Sequence, residues 1–319
     1  MGVVESGDRM LLFILGRLLQ GCVVIAAVIS LTFLIIRASP GSPFATERDM
    51  PENIRENLDR IYGLDQPLVV QLARNLRSFA TLDLPLSFRL KGWGVGEIIA
   101  QGLPVSLTVG GAAFLIAVII GVPAGAVSAL RAGAPLDRGL MAAATLGVCV
   151  PSLVLGPFLA WFLGLRLRWF NAAGWYDADD WVLPALTLGL ISAAAVGRLT
   201  RGGLVETLAQ DYIRTARAKG VPQGVIVARH AMRLACLPLI NYLGPLAAGL
   251  LSGTFVTETV FQLPGLGRHF VSSALHKDFT LAMALAAFFA ALIVFFNLLV
   301  DVLQAWLNPR IRLREAGGK

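Results

Sequence analysis

About six runs of apolar side chains dominate this chain, most of them as long as the roughly 20 residues that a helix needs to cross a bilayer. They lie at residues 11–36, 104–130, 139–165, 181–197, 237–260 and 281–307. In hydrocarbon, backbone polar groups are satisfied only inside a helix or a closed barrel, and runs of this length are helical. The expected fold is therefore all-α and integral to the membrane, with about six transmembrane helices. Hydrophobic residues make up 56% of the chain and charged ones only 15%, where a soluble domain carries roughly a quarter.

The first run is broken only by Arg17, Gln20, Ser30, Thr32 and small residues. It is longer than the apolar stretch of a signal peptide, and no A-x-A-like site follows at Arg37-Ala38-Ser39-Pro40. Residues 11–36 are expected to stay as the first transmembrane helix. Residues 37–101 then mix acidic side chains, basic side chains and prolines. They read as a cap outside the bilayer, with helical periodicity at 51–62 and 68–80 and Gly63 and Pro67 as breakers between. The whole chain, 1–319, reads as one domain, with 104–307 holding the remaining membrane helices and a long polar loop at 202–235. The fourth run is short and rich in Ala and Gly, so its helix should continue beyond Arg198.

The net charge of +7 does not indicate nucleic acid, because the basic residues flank apolar runs rather than forming one stripe. With the N-terminus inside, Arg9, Arg17, Arg131, Arg138, Arg198, Arg201, Arg214, Arg217, Lys219, Arg229, Arg233, Arg310, Arg312, Arg314 and Lys319 all fall on the inner side. The short outer loops hold only Arg166, Arg168, Arg268 and Lys277. That asymmetry puts both termini in the cytoplasm. Cys22, Cys149 and Cys236 have neither disulfide nor zinc spacing, and His230, His269 and His276 are not spaced as metal ligands. No catalytic and no metal site is expected. HExxH and GxSxG are absent, as are paired aspartates in the spans, so an intramembrane enzyme has no support.

Two segments carry function. The first is the amphipathic loop 202–235, in which Ala209, Tyr212, Ile213 and Ala216 recur at helical spacing, Gly220 ends one helix and Pro222 opens another. It reads either as a basic helix at the lipid surface or as an element that docks on a soluble partner. The second is the fifth apolar run, where Pro238, Asn241, Gly244, Pro245, Gly249, Ser252 and Gly253 interrupt regular apolar helix. Such residues suit a helix that lines a route, or one that packs tightly. Asn241, Gly244, Pro245, Gly249, Ser252 and Glu258 are the route candidates, Glu258 as a partner for a cargo amine or as a structural clasp. Asp301, near the inner end of the last run, reads as an interfacial carboxylate paired with a nearby base.

Asp211-Tyr-Ile-Arg-Thr-Ala-Arg-Ala-Lys-Gly220, with Leu237-Pro238 downstream, resembles the cytoplasmic loop of binding-protein-dependent ABC permeases of the dipeptide, oligopeptide and nickel class. Thr257-Glu-Thr-Val-Phe-Gln-Leu-Pro-Gly-Leu-Gly-Arg268, Asn308-Pro-Arg-Ile-Arg312, Tyr62-Gly-Leu-Asp-Gln-Pro67 and Gly121-Val-Pro-Ala-Gly125 are similar to the same class. Arg214-Thr-Ala216 stands where the general permease pattern has Glu-Ala-Ala, and Leu82-Asp-Leu-Pro85 where Gly-Asp-Leu-Gly is usual. The resemblance implies a permease subunit of a peptide importer in a bacterial inner membrane, with nickel chelates, glutathione or glycoconjugates as alternative cargo. It implies a coupling helix at about 204–220, with Glu206, Asp211, Tyr212, Arg214, Thr215, Ala216, Arg217, Ala218, Lys219 and Gly220 facing an ATPase. It also implies a second homologous permease, two ATP-binding subunits that hold ATP and Mg, and a periplasmic substrate-binding protein. The chain lacks the G-x-x-x-x-G-K-S/T phosphate loop, so no cofactor is expected in it. An ATP-independent channel or scaffold would share the composition but has no reason to carry the 211–220 segment.

Overall fold

The computed structural model describes residues 4–38, 60, 63, 65–84, 86–87, 90 and 92–307. In chain order the helices are α1 (Val4–Ala38), α2 (Leu68–Thr81), α3 (Val95–Leu130), α4 (Pro135–Cys149) and α5 (152–166). They continue with α6 (Val182–Leu208), α7 (Asp211–Ala218), α8 (223–235), α9 (Leu237–Leu251), α10 (Phe255–Val260), α11 (Leu266–Leu275) and α12 (Phe279–Leu307). α5 winds as a π-helix over Ala160–Arg166, and α8 does so over Ile226–Ala231. The described residues hold no strand beyond a lone bridge between Leu86 and Gly94. Among the described residues, five helices are long and apolar enough to cross a membrane, and up to six if the bent pair α4–α5 is one span.

Three departures from the sequence reading have local causes. α3 begins at Val95, inside the expected cap, because Glu97 accepts the Gly94 N–H at 3.0 Å and caps the helix start. The third apolar run is not one straight helix but bends by 100° between α4 and α5. Pro151 brings no N–H to the helix, and Val150 before it is extended. The fifth run stops at Leu251 and restarts at Phe255, with Gly253 between them at φ +88°. α6 does run past Arg198, to Leu208. The helix expected at 51–62 lies, apart from Arg60, outside the described residues, as do Arg310, Arg312, Arg314 and Lys319.

The chain divides into two compact units, Met1–Leu103 with Leu266–Val294 and Pro104–Gly265 with Phe295–Lys319. In the first, Val95, Ile98, Leu266, Leu281 and Leu285 form a core with Phe79, Phe270 and Phe289 around it. α1 presents Leu15, Leu19, Val23, Leu31 and Ile35 outward, a surface suited to lipid. Arg37, at its end, donates to Gln71 of α2 and lies 5.9 Å over the Phe33 ring. Asp278 is buried at the start of α12, where it accepts from Ser87 and from the Leu281 N–H at 3.2 Å.

The second unit is built around α6. Its span is 61% buried, against 39% or less for the other straight spans, and that explains its Ala and Gly content. Small residues let backbones close on one another. A Cβ at Gly121 would lie 2.6 Å from the Ala193 carbonyl, and one at Gly189 would lie 3.0 Å from the Ala113 carbonyl. Val105, Val109, Leu183, Leu188, Leu250 and Phe261 fill one end of this unit.

Candidate functional site

The segment between α6 and α9 folds upward from a dry seat. α6 ends where Gln210 turns extended, at φ −71° and ψ 152°, and Asp211 opens α7 as an acidic first-turn residue. The continuous helix expected over 204–220 is therefore two helices, and Glu206 stands exposed on the α6 stem rather than on α7. Ile213 and Ala216 on one face of α7 are buried against Leu204, Ala129, Ile226, Ala231 and Ala235. A Cβ at Gly203 would overlap the Ala235 carbonyl, so the stem and α8 touch backbone to backbone. Gly220 closes α7 at φ +74°, which an L side chain adopts only with strain. Pro222 then precedes the next helical stretch.

The opposite face of α7 is a crest of exposed Asp211, Tyr212, Arg214, Thr215, Arg217, Ala218, Lys219 and Gly220. Of the ten residues expected to face a partner, these eight are brought together, while Ala216 is turned into the seat. Arg214 lies 3.5 Å from Asp211 with both side chains largely in solvent, a pairing worth little. Burial raises the Tyr212 phenol above its ordinary value, and its hydroxyl points to the His230 carbonyl at 3.4 Å. Three of the eight crest residues are basic and one is acidic, and the buried apolar face of α7 leaves this polar face turned outward.

Sequence reasoning missed what lies behind the seat. Asp137, in the first turn of α4, is 2% exposed. It accepts Arg201 Nε at 2.6 Å and Nη2 at 2.8 Å in a two-pronged pair, and also the Gly133 N–H at 2.8 Å and the Ser128 hydroxyl. In the sequence Arg201 counts only as a topology signal. The available signal was an aspartate two residues beyond Pro135 at a helix start, close to the membrane surface.

α9 sorts the route candidates by face. Asn241, Pro245 and Gly249 recur at one-turn spacing on an exposed side, with Ser252 half-buried one turn on. A Cβ at Gly249 would meet nothing within 4 Å. Gln304 of α12 donates to Asn241 at the lower end of this face. Gly244 is on the other side, where a Cβ would lie 2.6 Å from Val300, so its role is packing. Glu258 is also turned inward. It is 2% exposed, accepts Ser106 Oγ at 2.9 Å, and occupies the space a side chain at Gly265 would need. This placement is that of a clasp between α10, Ser106 and the Gly265 loop, away from the exposed face of α9. At the break and in the first turn of α10, the Thr254 and Thr257 hydroxyls are buried without a hydrogen-bond partner among the described residues.

The loop between α5 and α6 carries Asp177, Asp179 and Asp180, with carboxylate oxygens within 4.8 Å of one another. Asp180 is filled by N–H donors from Tyr176, Asp177 and Asn171. Burial pushes its pKa up, but these donors outweigh it and hold the pKa below the ordinary value. The cluster is a loop clasp.

Five or six apolar spans, with a short amphipathic helix seated beside the most buried of them, define a polytopic helical membrane protein. Residues 121–313 match the family described as binding-protein-dependent transport system inner membrane component, and the chain belongs to that family. It is 40% identical over 305 residues to the oligopeptide transport system permease protein OppB of Salmonella typhimurium, covering 95% of this chain and 100% of that one. It is 38% identical over 293 residues to the dipeptide transport system permease protein DppB of Bacillus subtilis, covering 92% and 95%. Among solved structures, an inward-facing form of the MetNI methionine ABC transporter shares the fold, with TM-score 0.55 and 17% identity over 66% of this chain and 96% of that one. The chain is thus a multi-pass permease component of the inner membrane.

Proposed function

We propose that this chain is a membrane-spanning subunit of an ATP-driven importer that carries di- or oligopeptides from the periplasm to the cytoplasm. The observation that carries the reading is the similarity to peptide permeases along 95% of this chain and the full length of the relative. In this reading both termini are cytoplasmic, as the Lys and Arg asymmetry requires. α7 is the coupling helix. Its buried Ile213 and Ala216 fix it to the protein, and its exposed Arg214, Arg217 and Lys219 enter a groove of an ATP-binding subunit. The chain has no phosphate loop, so ATP and Mg sit in two such subunits. A second, homologous permease completes the pathway, and the open face of α9 with Asn241, Pro245, Gly249 and Ser252 lines it. A soluble binding protein delivers cargo to the loops on the outer side, a transient interface of mixed charge.

The test is co-purification in detergent and peptide uptake in vesicles, with the native chain and a variant carrying Arg214→Glu, Arg217→Glu and Lys219→Glu. The native chain is expected to bring down a second permease and ATP-binding subunits and to accumulate peptide with ATP. The variant is expected to lose the ATP-binding subunits while keeping the second permease. A native chain that purifies alone, or a variant that keeps every subunit, would remove the coupling assignment.

A further inference from the structure

Four parts of the second unit meet at one carboxylate, the helix that carries it included. Ser128 comes from the last turn of α3, Gly133 from the α3–α4 turn, Asp137 from α4 and Arg201 from α6. The arginine engages through two parallel N–H donors, at 2.6 and 2.8 Å, so the contact fixes direction as well as distance. A lysine in its place would hold the charge but not the orientation. Gly133 takes φ +82° to aim its N–H at the second oxygen, and Arg138 donates back to the Gly133 carbonyl at 3.1 Å, which stiffens the turn.

The position of this cluster matters more than its strength. Arg201 is one turn before Leu204 and two turns before Leu208, and these pack with Ala129 around the buried face of α7. Apolar contacts of that kind resist separation but let surfaces slide. A two-pronged ion pair does not slide. Asp137 in turn heads α4, which leads into the 100° bend and α5. Buried ion pairs are weak evidence for stability, because desolvation offsets most of their attraction. What this one adds is direction: it ties α4 to α6 through two parallel contacts, which is a mechanical property rather than a stabilising one.

We propose that the Asp137–Arg201 pair is the joint through which displacement of α7 reaches α3 and α4, so that the stem of α6, the α3–α4 turn and the bent α4–α5 arm move as one body. Asp137 and Arg201 are positioning residues in this scheme, since neither touches cargo or nucleotide. The inference rests on the importer reading given above. Without the joint, α7 still docks and ATP is still hydrolysed, but the motion is absorbed by slip between α6 and α4.

The experiment measures peptide moved per ATP hydrolysed in the assembled complex reconstituted in vesicles, for the native chain, Asp137→Asn and Arg201→Lys. Native uptake is recorded first, and its absence would refute the importer reading rather than the joint. With uptake established, both variants are expected to retain their ATP-binding subunits and their hydrolysis, while the transport ratio falls about tenfold, within the range seen when residues of a coupling network are changed. Each variant is first shown to be monodisperse with its full complement of subunits, so that the ratio is compared between assembled complexes, and Arg201→Lys keeps the charge of the pair balanced. A native ratio in either assembled variant would overturn the proposal. So would uptake and hydrolysis that decline together at constant ratio, because that is loss of structure alone.

Discussion

A Cβ added at Gly125 would overlap the Gly197 carbonyl and lie 2.7 Å from Thr200 Cβ, so α3 and α6 are held apart there by hydrogen atoms only. At Gly249 the same atom would meet open space. The two glycines look alike in the sequence, and both sit in apolar runs. Gly125→Ala is expected to destabilise the protein by about 1–3 kcal/mol, the usual range for overpacking a closed contact. Gly249→Ala meets no steric barrier and should leave stability unchanged or raise it by up to about 1 kcal/mol, since alanine is the better helix former. Thermal unfolding of the purified protein in detergent checks both, and a Gly125→Ala variant as stable as the native chain would mean that α3 and α6 are not in contact at that point. The same distinction explains why the route residues were only partly legible. Gly244 and Glu258 carry the right chemistry for a pathway, but the sequence does not state which side of α9 or α10 they take. Exposure does, and it assigns both to packing.

At the level of elements, legibility followed the strength of local signals. Gly220 and Pro222 mark their turn because only glycine takes φ +74° freely and proline favours a helix start. The break at Gln210 was not legible, since glutamine carries no such constraint and the helical spacing of Ala209, Tyr212 and Ile213 runs through it. Tertiary packing decides that break: Ile213 and Ala216 reach the seat formed by Leu204 and Ile226 only if α7 turns away from α6. The Asp137–Arg201 pair was equally hidden, because its partners are 64 residues apart. The seat makes a second prediction. Ile213→Ala removes a side chain with no exposure and should cost about 2–5 kcal/mol. It should lower the unfolding temperature of the isolated subunit, whereas the three-fold Glu variant of the crest should not. If Ile213→Ala unfolds at the native temperature, α7 is not anchored by its apolar face.

Whether the membrane is crossed five times or six depends on the bent pair α4–α5, and at the scale of the whole chain this decides on which side each terminus lies. Length and apolarity leave both answers open, since two helices at 100° can span or re-enter. The ion pair points to six on geometric grounds, with α6 taken as crossing the bilayer. Arg201 is bonded to the start of α4, and α6 reaches it from Val182 by an unbroken helix. Nineteen residues of rise amount to about 28 Å, close to the thickness of the hydrocarbon core. The chain between Asp137 and Val182 therefore has to climb nearly the full bilayer, and α4 with α5 is the only helical path it has among the described residues. Six crossings are predicted, which would put the 131–138 turn and the 209–235 segment on one side and Arg166 with the Asp180 loop on the other. In a background with Cys22, Cys149 and Cys236 replaced by serine, Arg131→Cys and Arg166→Cys should react with an impermeant thiol reagent from opposite faces, Arg166→Cys in intact cells and Arg131→Cys only after the membrane is opened. Both residues are exposed in the folded chain, so a failure to label would not arise from burial within it. Labelling of both from the same face would make α4–α5 a re-entrant hairpin, place the two termini on opposite sides, and remove the basis for reading the basic turns as one cytoplasmic surface.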